Sequence, residues 1–332
     1  MEVDKIFMAR ALQLAALGRG HTRSNPMVGA VIVGPDGNII GEGYHRRFGG
    51  PHAEVNAIAS VRRPELLSRS TIYVTLEPCS HYGKTPPCAK LLVDKKIPRV
   101  VIGSTDPNEK VAGRGIAMLR EAGAEVVSGV LEDECRALNR PFMTAHTHRR
   151  PYILLKWAQS ADGYMDRRRT ADNPAAARFS GALSQMMVHR LRAQFDAIMV
   201  GSGTVIADNP RLDTRLWPGN SPRRIILDRR NRLSADCNAL SDESSIHITD
   251  RRDLLTLMHD LFSDGITSLM VEGGATLLRS FIDAGLWDDA RIEISPVILG
   301  RDGTAKAPQM PSGRVAETKI DGNNIITISN FN

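Results

Sequence analysis

Cysteine is scarce, with four in 332 residues, at positions 79, 88, 135 and 237. A chain this long builds its own core, so a disulfide scaffold is excluded and a reducing cytoplasm is the expected setting. No apolar run approaches the roughly 18 residues that a bilayer crossing needs. The first ten residues interleave Glu2, Asp4, Lys5 and Arg10 with apolar residues, which excludes the unbroken apolar core of a signal peptide. Blocks of like charge are nearly absent: only Arg167-Arg168-Arg169 comes close, and the formal charge of +6 is mild. A nucleic-acid coat is therefore not expected. Apolar residues at 42% and charged residues at 24% exclude disorder and collagen-like repeats, and neither an internal repeat nor a low-complexity tract is present.

What is there fits two domains at about 100–200 residues each. In the first block, Asp4–Leu17 reads as a helix and Val28–Val33 as a strand stopped by Gly34-Pro35-Asp36-Gly37. Ile39–Gly43 reads as the return strand, followed by a helix over 53–60 and a strand over 71–76. A helix over 89–95, a strand over 99–102, a helix over 113–121 and a strand over 125–127 complete it. The second block has strands over 152–157, 197–200, 224–227, 268–271 and 291–299, with helices over 183–194, 253–262 and 276–284. Alternating strands and helices predict α/β layers in both blocks. The polar stretch Ala145–Pro151 reads as the interdomain link, with His146 and His148 in an unanchored loop. The boundaries are 1–147 and 148–332.

The strongest chemical signal is His52-Ala53-Glu54, followed by Pro78-Cys79 and Pro87-Cys88. One imidazole and two thiols supply three N/S ligands to Zn²⁺ and leave a fourth tetrahedral position for water. A structural zinc would want a fourth protein ligand, for which His45 and His81 are the nearest spare candidates. Glu54 converts a metal site into a catalytic one, since a carboxylate there can carry a proton to a leaving amine. Residues i and i+2 share no helix face, so His52 and Glu54 face one ion only where a helix is just beginning, and Pro51 suits such a start. This is the H-x-E…P-C-x-x-C order of zinc nucleobase deaminases with a longer gap.

In the second block, Val271-Glu272-Gly273-Gly274-Ala275-Thr276 follows one strand and opens a helix, a place where backbone N–H groups can approach a phosphate. There is no G-x-G-x-x-G, so no Rossmann fingerprint, and the glycine pair could equally form a plain tight turn.

Taken together, Asn25-Pro26-x-Val28-Gly29, Gly41–His45, Pro51–Glu54, Thr75–Cys88, Asp106-Pro107-Asn108 and Val111–Gly115 resemble the deaminase half of the bifunctional riboflavin-biosynthesis deaminase/reductase family. The eight residues between Cys79 and Cys88 separate that family from other cytidine-deaminase-like proteins, where the gap is typically two. Asp162-Gly163 and Val200–Leu212 resemble the reductase half. The resemblance implies a cytidine-deaminase-like three-layer α/β domain followed by a domain similar to dihydrofolate reductase. It implies His52, Cys79 and Cys88 as zinc ligands, Glu54 as proton shuttle, and Asn25, His45, His81 and Lys84 as substrate contacts. In the second half it implies that Ala158, Thr204, Asp208, Gly273, Gly274, Ala275 and Thr276 line an NADPH site. Arg192, Leu212, Arg215 and Glu272 would face the substrate, with Lys156 a further candidate. Arg229 or Arg230, at a strand end, is expected on the 2′-phosphate of NADPH because Arg suits that group.

The implied chemistry is hydrolytic deamination of 2,5-diamino-6-ribosylamino-4(3H)-pyrimidinone 5′-phosphate, then reduction of its ribosyl chain to ribityl. The implied partner is that small molecule, with no nucleic acid and no membrane, and the implied state is a homo-oligomer. One stretch departs from the pattern. The family often carries Ser and then Trp ahead of the large helix, whereas this chain reads Asp172-Asn173-Pro174-Ala175-Ala176-Ala177-Arg178-Phe179-Ser180-Gly181 and is a few residues longer. Contacts there do not transfer, which leaves open a deaminase with an impaired reductase half. The same motifs would also suit a tRNA or nucleotide deaminase with an unrelated C-terminal module, or a zinc-binding protein whose sites are spent. Cys135 and Cys237 lack partners at metal spacing and are expected to be inert buried thiols.

Overall fold

Gly29–Val33 is buried at every position, which a strand achieves only when both faces of its sheet are covered. The computed structural model that shows this describes residues 2–81, 86–107, 112–234, 236–241 and 243–330. The chain divides into two units, Met1–Arg149 and Arg150–Asn332.

The first unit runs α1 (Glu2–Ala16), β1 (Gly29–Val33), β2 (Ile39–Tyr44), α2 (Ala53–Ala59), β3 (Thr71–Leu76) and α3 (Cys88–Asp94). It continues through β4 (Arg99–Ser104), α4 (Arg114–Glu121), β5 (Glu125–Ser128), α5 (Glu132–Leu138) and α6 (Arg140–His148). The sheet order is β2-β1-β3-β4-β5; β1 runs antiparallel to β2 and β3, and β3, β4 and β5 run parallel. Side chains alternate along β1. Val31 and Val33 pack with Met8, Ala11, Tyr73 and Cys135 on one face. Ala30 and Ile32 pack with Ala53, Ala57, Ala89, Leu92, Ile116 and Leu119 on the other. The result is three layers, with α2, α3 and α4 starting on the same face.

The second unit contains β6 (Tyr152–Gln159), β7 (Tyr164–Arg167), α7 (Ala182–Arg192), β8 (Ala197–Gly201), α8 (Ser202–Asp208) and β9 (Arg223–Leu227). Then come β10 (Ile246–Ile248), α9 (Leu254–Ser263), β11 (Ser268–Val271), α10 (Ala275–Asp283) and β12 (Asp289–Ile294). It closes with β13 (Gly303–Lys306), β14 (Arg314–Ile320) and β15 (Asn323–Ser329). Eight strands form one sheet in the order β10-β9-β8-β11-β6-β12-β15-β14. The six from β10 to β12 are parallel, and β15 turns antiparallel against β12 and β14. Its larger core gathers Ile153, Leu155, Trp157, Met199, Leu269 and Phe281.

Several sequence expectations are corrected. The stretch 145–151 is not all loop: α6 runs to His148, and the His146 ring lies 4.5 Å from that of Phe142. The strand expected over 291–299 ends at Ile294. Beyond it Pro296 has no N–H for a ladder, and the Asp162 carboxylate accepts the N–H groups of Leu299 (3.1 Å) and Gly300 (2.7 Å). Cys237 is half-buried rather than buried. Asp253, expected inside its helix, is the N-cap, accepting from Thr256 N–H.

Candidate active sites

His52 sits just before α2 with extended backbone, φ −71° and ψ 167°, and Glu54 lies in the first helical turn, buried. That placement lets two residues of i, i+2 spacing face one point. Cys79 lies three residues past the end of β3, and Cys88 is the first residue of α3. The His52 Nδ1 atom is 3.3 Å from Cys88 Sγ and 3.7 Å from Cys79 Sγ, and the Cys88 N–H donates to Cys79 Sγ at 3.3 Å. Tetrahedral zinc with bonds of about 2.0–2.3 Å holds such donors roughly 3.5–3.8 Å apart; the 3.7 Å separation falls in that range and the 3.3 Å one just short of it, so the donor set fits that ion in chemistry and closely in spacing. Among the described residues these three are the one cluster of metal-binding character.

The charges are coupled. The Cys79 thiol is pulled down to about 4 by Cys88 donating to it and by His52 beside it, while Cys88 is pushed up by the same contact and by burial. Burial raises the Glu54 carboxyl to about 6, against the pull of His52.

His45, a spare ligand candidate, is committed elsewhere. Its Nδ1 lies 3.1 Å from the Pro51 carbonyl and its Nε2 lies 3.3 Å from Asn25 Nδ2. A ring that donates to Pro51 and accepts from Asn25 satisfies both contacts, and burial lowers its pKa, favouring this neutral form. Its ring stands edge-on to that of His52 at 5.6 Å, so Asn25 and His45 form one wall of the centre. His81 is exposed, and Lys84 lies outside the described residues.

One residue of this site escaped the sequence reading. The buried Glu77 carboxylate accepts the N–H groups of Gly113 (3.0 Å), Gly115 (3.0 Å), Ile116 (3.3 Å) and Asp106 (3.4 Å). It ties the start of α4 to the turn that carries Cys79. Gly115 is required there, since a Cβ would fall 2.0 Å from the Pro78 carbonyl oxygen. The signal was an acidic residue at the end of an otherwise apolar strand.

In the second unit the site lies at the carboxyl ends of the parallel strands, where open α/β sheets bind ligands. Gly201-Ser202-Gly203 follows β8, Asp228-Arg229-Arg230 follows β9, and Gly273-Gly274 follows β11. The Gly274 N–H donates to Thr204 Oγ1 at 3.0 Å, joining the two glycine turns. A cavity of about 810 Å³ is lined by Gly201, Gly203, Arg229, Arg230, Arg232 and Thr276, among others. Arg229 donates to the Arg252 carbonyl and Arg232 to Ser202 Oγ; Arg230 makes no hydrogen bond or ion pair with a described residue. This cleft of glycine turns and guanidinium groups suits a phosphorylated dinucleotide.

A second cavity, about 470 Å³, contains Lys156, Ala158, Glu272 and Gly273. Arg192, far from being solvated, lies against Glu272: Nε to Oε1 at 3.0 Å, Nη2 to Oε2 at 2.7 Å, with Nη1 donating to the Asp213 carbonyl at 3.1 Å. Burial opposes ionisation of Glu272, but Arg192 and Lys156 hold its carboxyl down to about 2. Burial lowers the Lys156 pKa, against the pull of Glu272. Leu212 has φ +55°, and its buried side chain packs with Ile198, Val200 and Val205. Arg215 pairs with Asp213 at 2.5 Å. Arg169, three residues before the departing stretch 172–181, pairs with Asp208 at 2.6 Å, another contact unseen in the sequence.

Two family models match the chain. Residues 1–104 match the cytidine and deoxycytidylate deaminase zinc-binding region, and residues 151–329 match the RibD C-terminal domain. The riboflavin biosynthesis protein RibD of Escherichia coli is 39% identical over 335 residues, 90% of this chain and 89% of the relative. That of Actinobacillus pleuropneumoniae is 38% identical over 97% of this chain and 88% of its own length. Among solved structures, RibD of Acinetobacter baumannii superposes with a TM-score of 0.87 at 32% identity, covering 99% of both chains. A diaminohydroxyphosphoribosylaminopyrimidine deaminase/5-amino-6-(5-phosphoribosylamino)uracil reductase of Thermotoga maritima gives 0.84 at 34%, again over 99% of both.

Proposed function

Because the chain belongs to the RibD family of riboflavin biosynthesis proteins, we propose that it performs two consecutive steps on one pyrimidine ribose phosphate. Residues 1–147 deaminate the diaminopyrimidinone by hydrolysis, and residues 148–332 reduce the ribosyl side chain to ribityl with NADPH. The observation that carries the first step is the meeting of His52 and Cys88 at two helix starts with Cys79 from the segment after β3, and buried Glu54 beside them.

His52 Nδ1 and the two sulfurs would hold zinc, which would supply a water acidic enough to ionise near neutrality. Glu54 would take a proton from that water as its oxygen bonds to the ring carbon and pass it to the amine on the same carbon, so that a C–O bond replaces the C–N bond and ammonia leaves. Asn25 and His45 orient the ring from the wall they share, with His81 and Lys84 as further contacts. In the reductase, Ala158, Thr204, Asp208 and Gly273–Thr276 would hold NADPH, which would supply a hydride. Lys156 donates a proton to the sugar oxygen released as C1′ accepts the hydride. Glu272 steers the sugar, with Leu212 and Arg215 at its other edge, and Arg192 keeps Glu272 ionised. Arg229 or Arg230 meets the 2′-phosphate of the cofactor. The same reading makes the chain a cytoplasmic homo-oligomer.

The test follows ammonia release and NADPH oxidation separately on the diaminopyrimidinone phosphate. Both signals, with ammonia appearing first, are expected. Ammonia without oxidised cofactor would reduce the chain to a deaminase.

A further inference from the structure

The 470 Å³ cavity of the second unit is lined by three charged side chains, Lys156, Arg178 and Glu272. Glu272 is already neutralised by Arg192, whose guanidinium gives three of its five N–H groups to that carboxylate and the Asp213 carbonyl. Arg215 is paired with Asp213. The Lys156 and Arg178 side chains make no hydrogen bond or ion pair with a described residue, but the Glu272 and Glu293 carboxylates both pull on Lys156, so Arg178 is the uncommitted cation of the lining.

The place of Arg178 is built. The N–H of Ala177 donates to Asp166 Oδ1 at 2.9 Å, the carbonyl of buried Phe179 accepts from Asn323 Nδ2 at 2.7 Å, and Ser180 Oγ donates to the buried Glu293 at 2.9 Å. The backbone is thus pinned immediately before and after one exposed guanidinium at the rim. A planar fork with uncommitted donors, lining a ligand-sized cavity, matches a phosphate in both charge and geometry.

We propose that Arg178 is a phosphate-binding residue of this cavity, taking either the 5′-phosphate of the ribose substrate or the diphosphate of the cofactor. The proposal rests on the reductase half of the proposed function and adds to it the residue that recognises the anion. Calorimetric binding of ribose 5-phosphate, ribose and NADPH to the full chain tests it, in wild type, Arg178→Ala and Arg178→Lys. In Arg178→Ala one phosphate ligand should bind about ten- to a hundredfold more weakly, with partial recovery in Arg178→Lys. Ribose binding, ammonia release and the unfolding midpoint should not move. A loss confined to ribose 5-phosphate assigns the substrate phosphate, and one confined to NADPH assigns the cofactor. Equal affinity of wild type and Arg178→Ala for both, or a wild type that binds neither, overturns the proposal. Arg178-dependent ribose 5-phosphate binding in a chain that oxidises no NADPH would instead overturn the proposed reduction and leave this inference standing.

Discussion

Arg192 and Glu272 form a two-point ion pair, 3.0 and 2.7 Å, across 80 residues of sequence, with both side chains about nine-tenths buried. The pair joins the last turn of α7 to the end of β11, where the reductase site begins. Glu272 is held to about 2 against an ordinary 4.5, which contributes roughly 3 kcal/mol of stability by linkage. Because the folded-state value is the lower one, that contribution is complete above about pH 4.5 and is lost as pH falls toward 2. Glu272→Gln should therefore destabilise the chain by about 3–5 kcal/mol at pH 7, leaving Arg192 buried without its partner. Denaturant unfolding at several pH values should show the gap to wild type shrinking below pH 4.5. A gap constant with pH would contradict the assignment.

Glu54→Gln removes the proton carrier and leaves the three donors in place. Ammonia release should fall by about a hundredfold or more, with zinc content at one per chain and NADPH oxidation of the deaminated intermediate unchanged. Residual ammonia release near wild-type levels would take the proton transfer away from Glu54.

Cys88→Ser should lose zinc, because one of only three protein donors goes and its hydroxyl is a poor substitute. Chelator treatment of the wild type should have the same effect. Ammonia release should stop in both cases while the reductase step persists, measured with the deaminated intermediate as substrate. Continued deamination by the metal-free chain would contradict the assignment.

Glu77→Ala leaves the backbone N–H groups at the start of α4 without their carboxylate, a loss of about 2–4 kcal/mol. Unfolding of the first unit should move to lower denaturant, and zinc should be released more readily, since the Cys79 turn loses its tether. An unchanged zinc off-rate would confine Glu77 to stability alone.

Arg230→Ala should raise the KM for NADPH by about tenfold or more while leaving that for NADH unchanged; Arg229→Ala should do so only if Arg229 leaves the Arg252 carbonyl. Equal effects of Arg230→Ala on both cofactors would remove it from the 2′-phosphate.

The deaminase donors were legible because His-x-Glu and the two Pro-Cys pairs are local patterns, each marking the start of a helix or turn. The reductase site was less so, since Arg192 finds Glu272 only through the packing of α7 on the sheet, and Arg169 finds Asp208 only through the fold. Glu77 reads as one more acidic residue until the backbone donors of Asp106, Gly113, Gly115 and Ile116 close on it. The hairpin β14–β15 went unread because β14 is an edge strand, exposed at nearly every position, so burial imposes no alternation on it. The apolar run 296–299 misled for the opposite reason: Val297 and Ile298 stay exposed, in a loop that Asp162 captures.

X-ray absorption at the zinc edge of the purified chain tests the central claim most directly. The expected shell has two sulfurs at about 2.3 Å and two lighter N/O donors at about 2.0–2.1 Å, one of them exchangeable with solvent or displaced by an inhibitor. A shell closed by four protein donors, or one with no sulfur, would contradict a hydrolytic centre built from His52, Cys79 and Cys88.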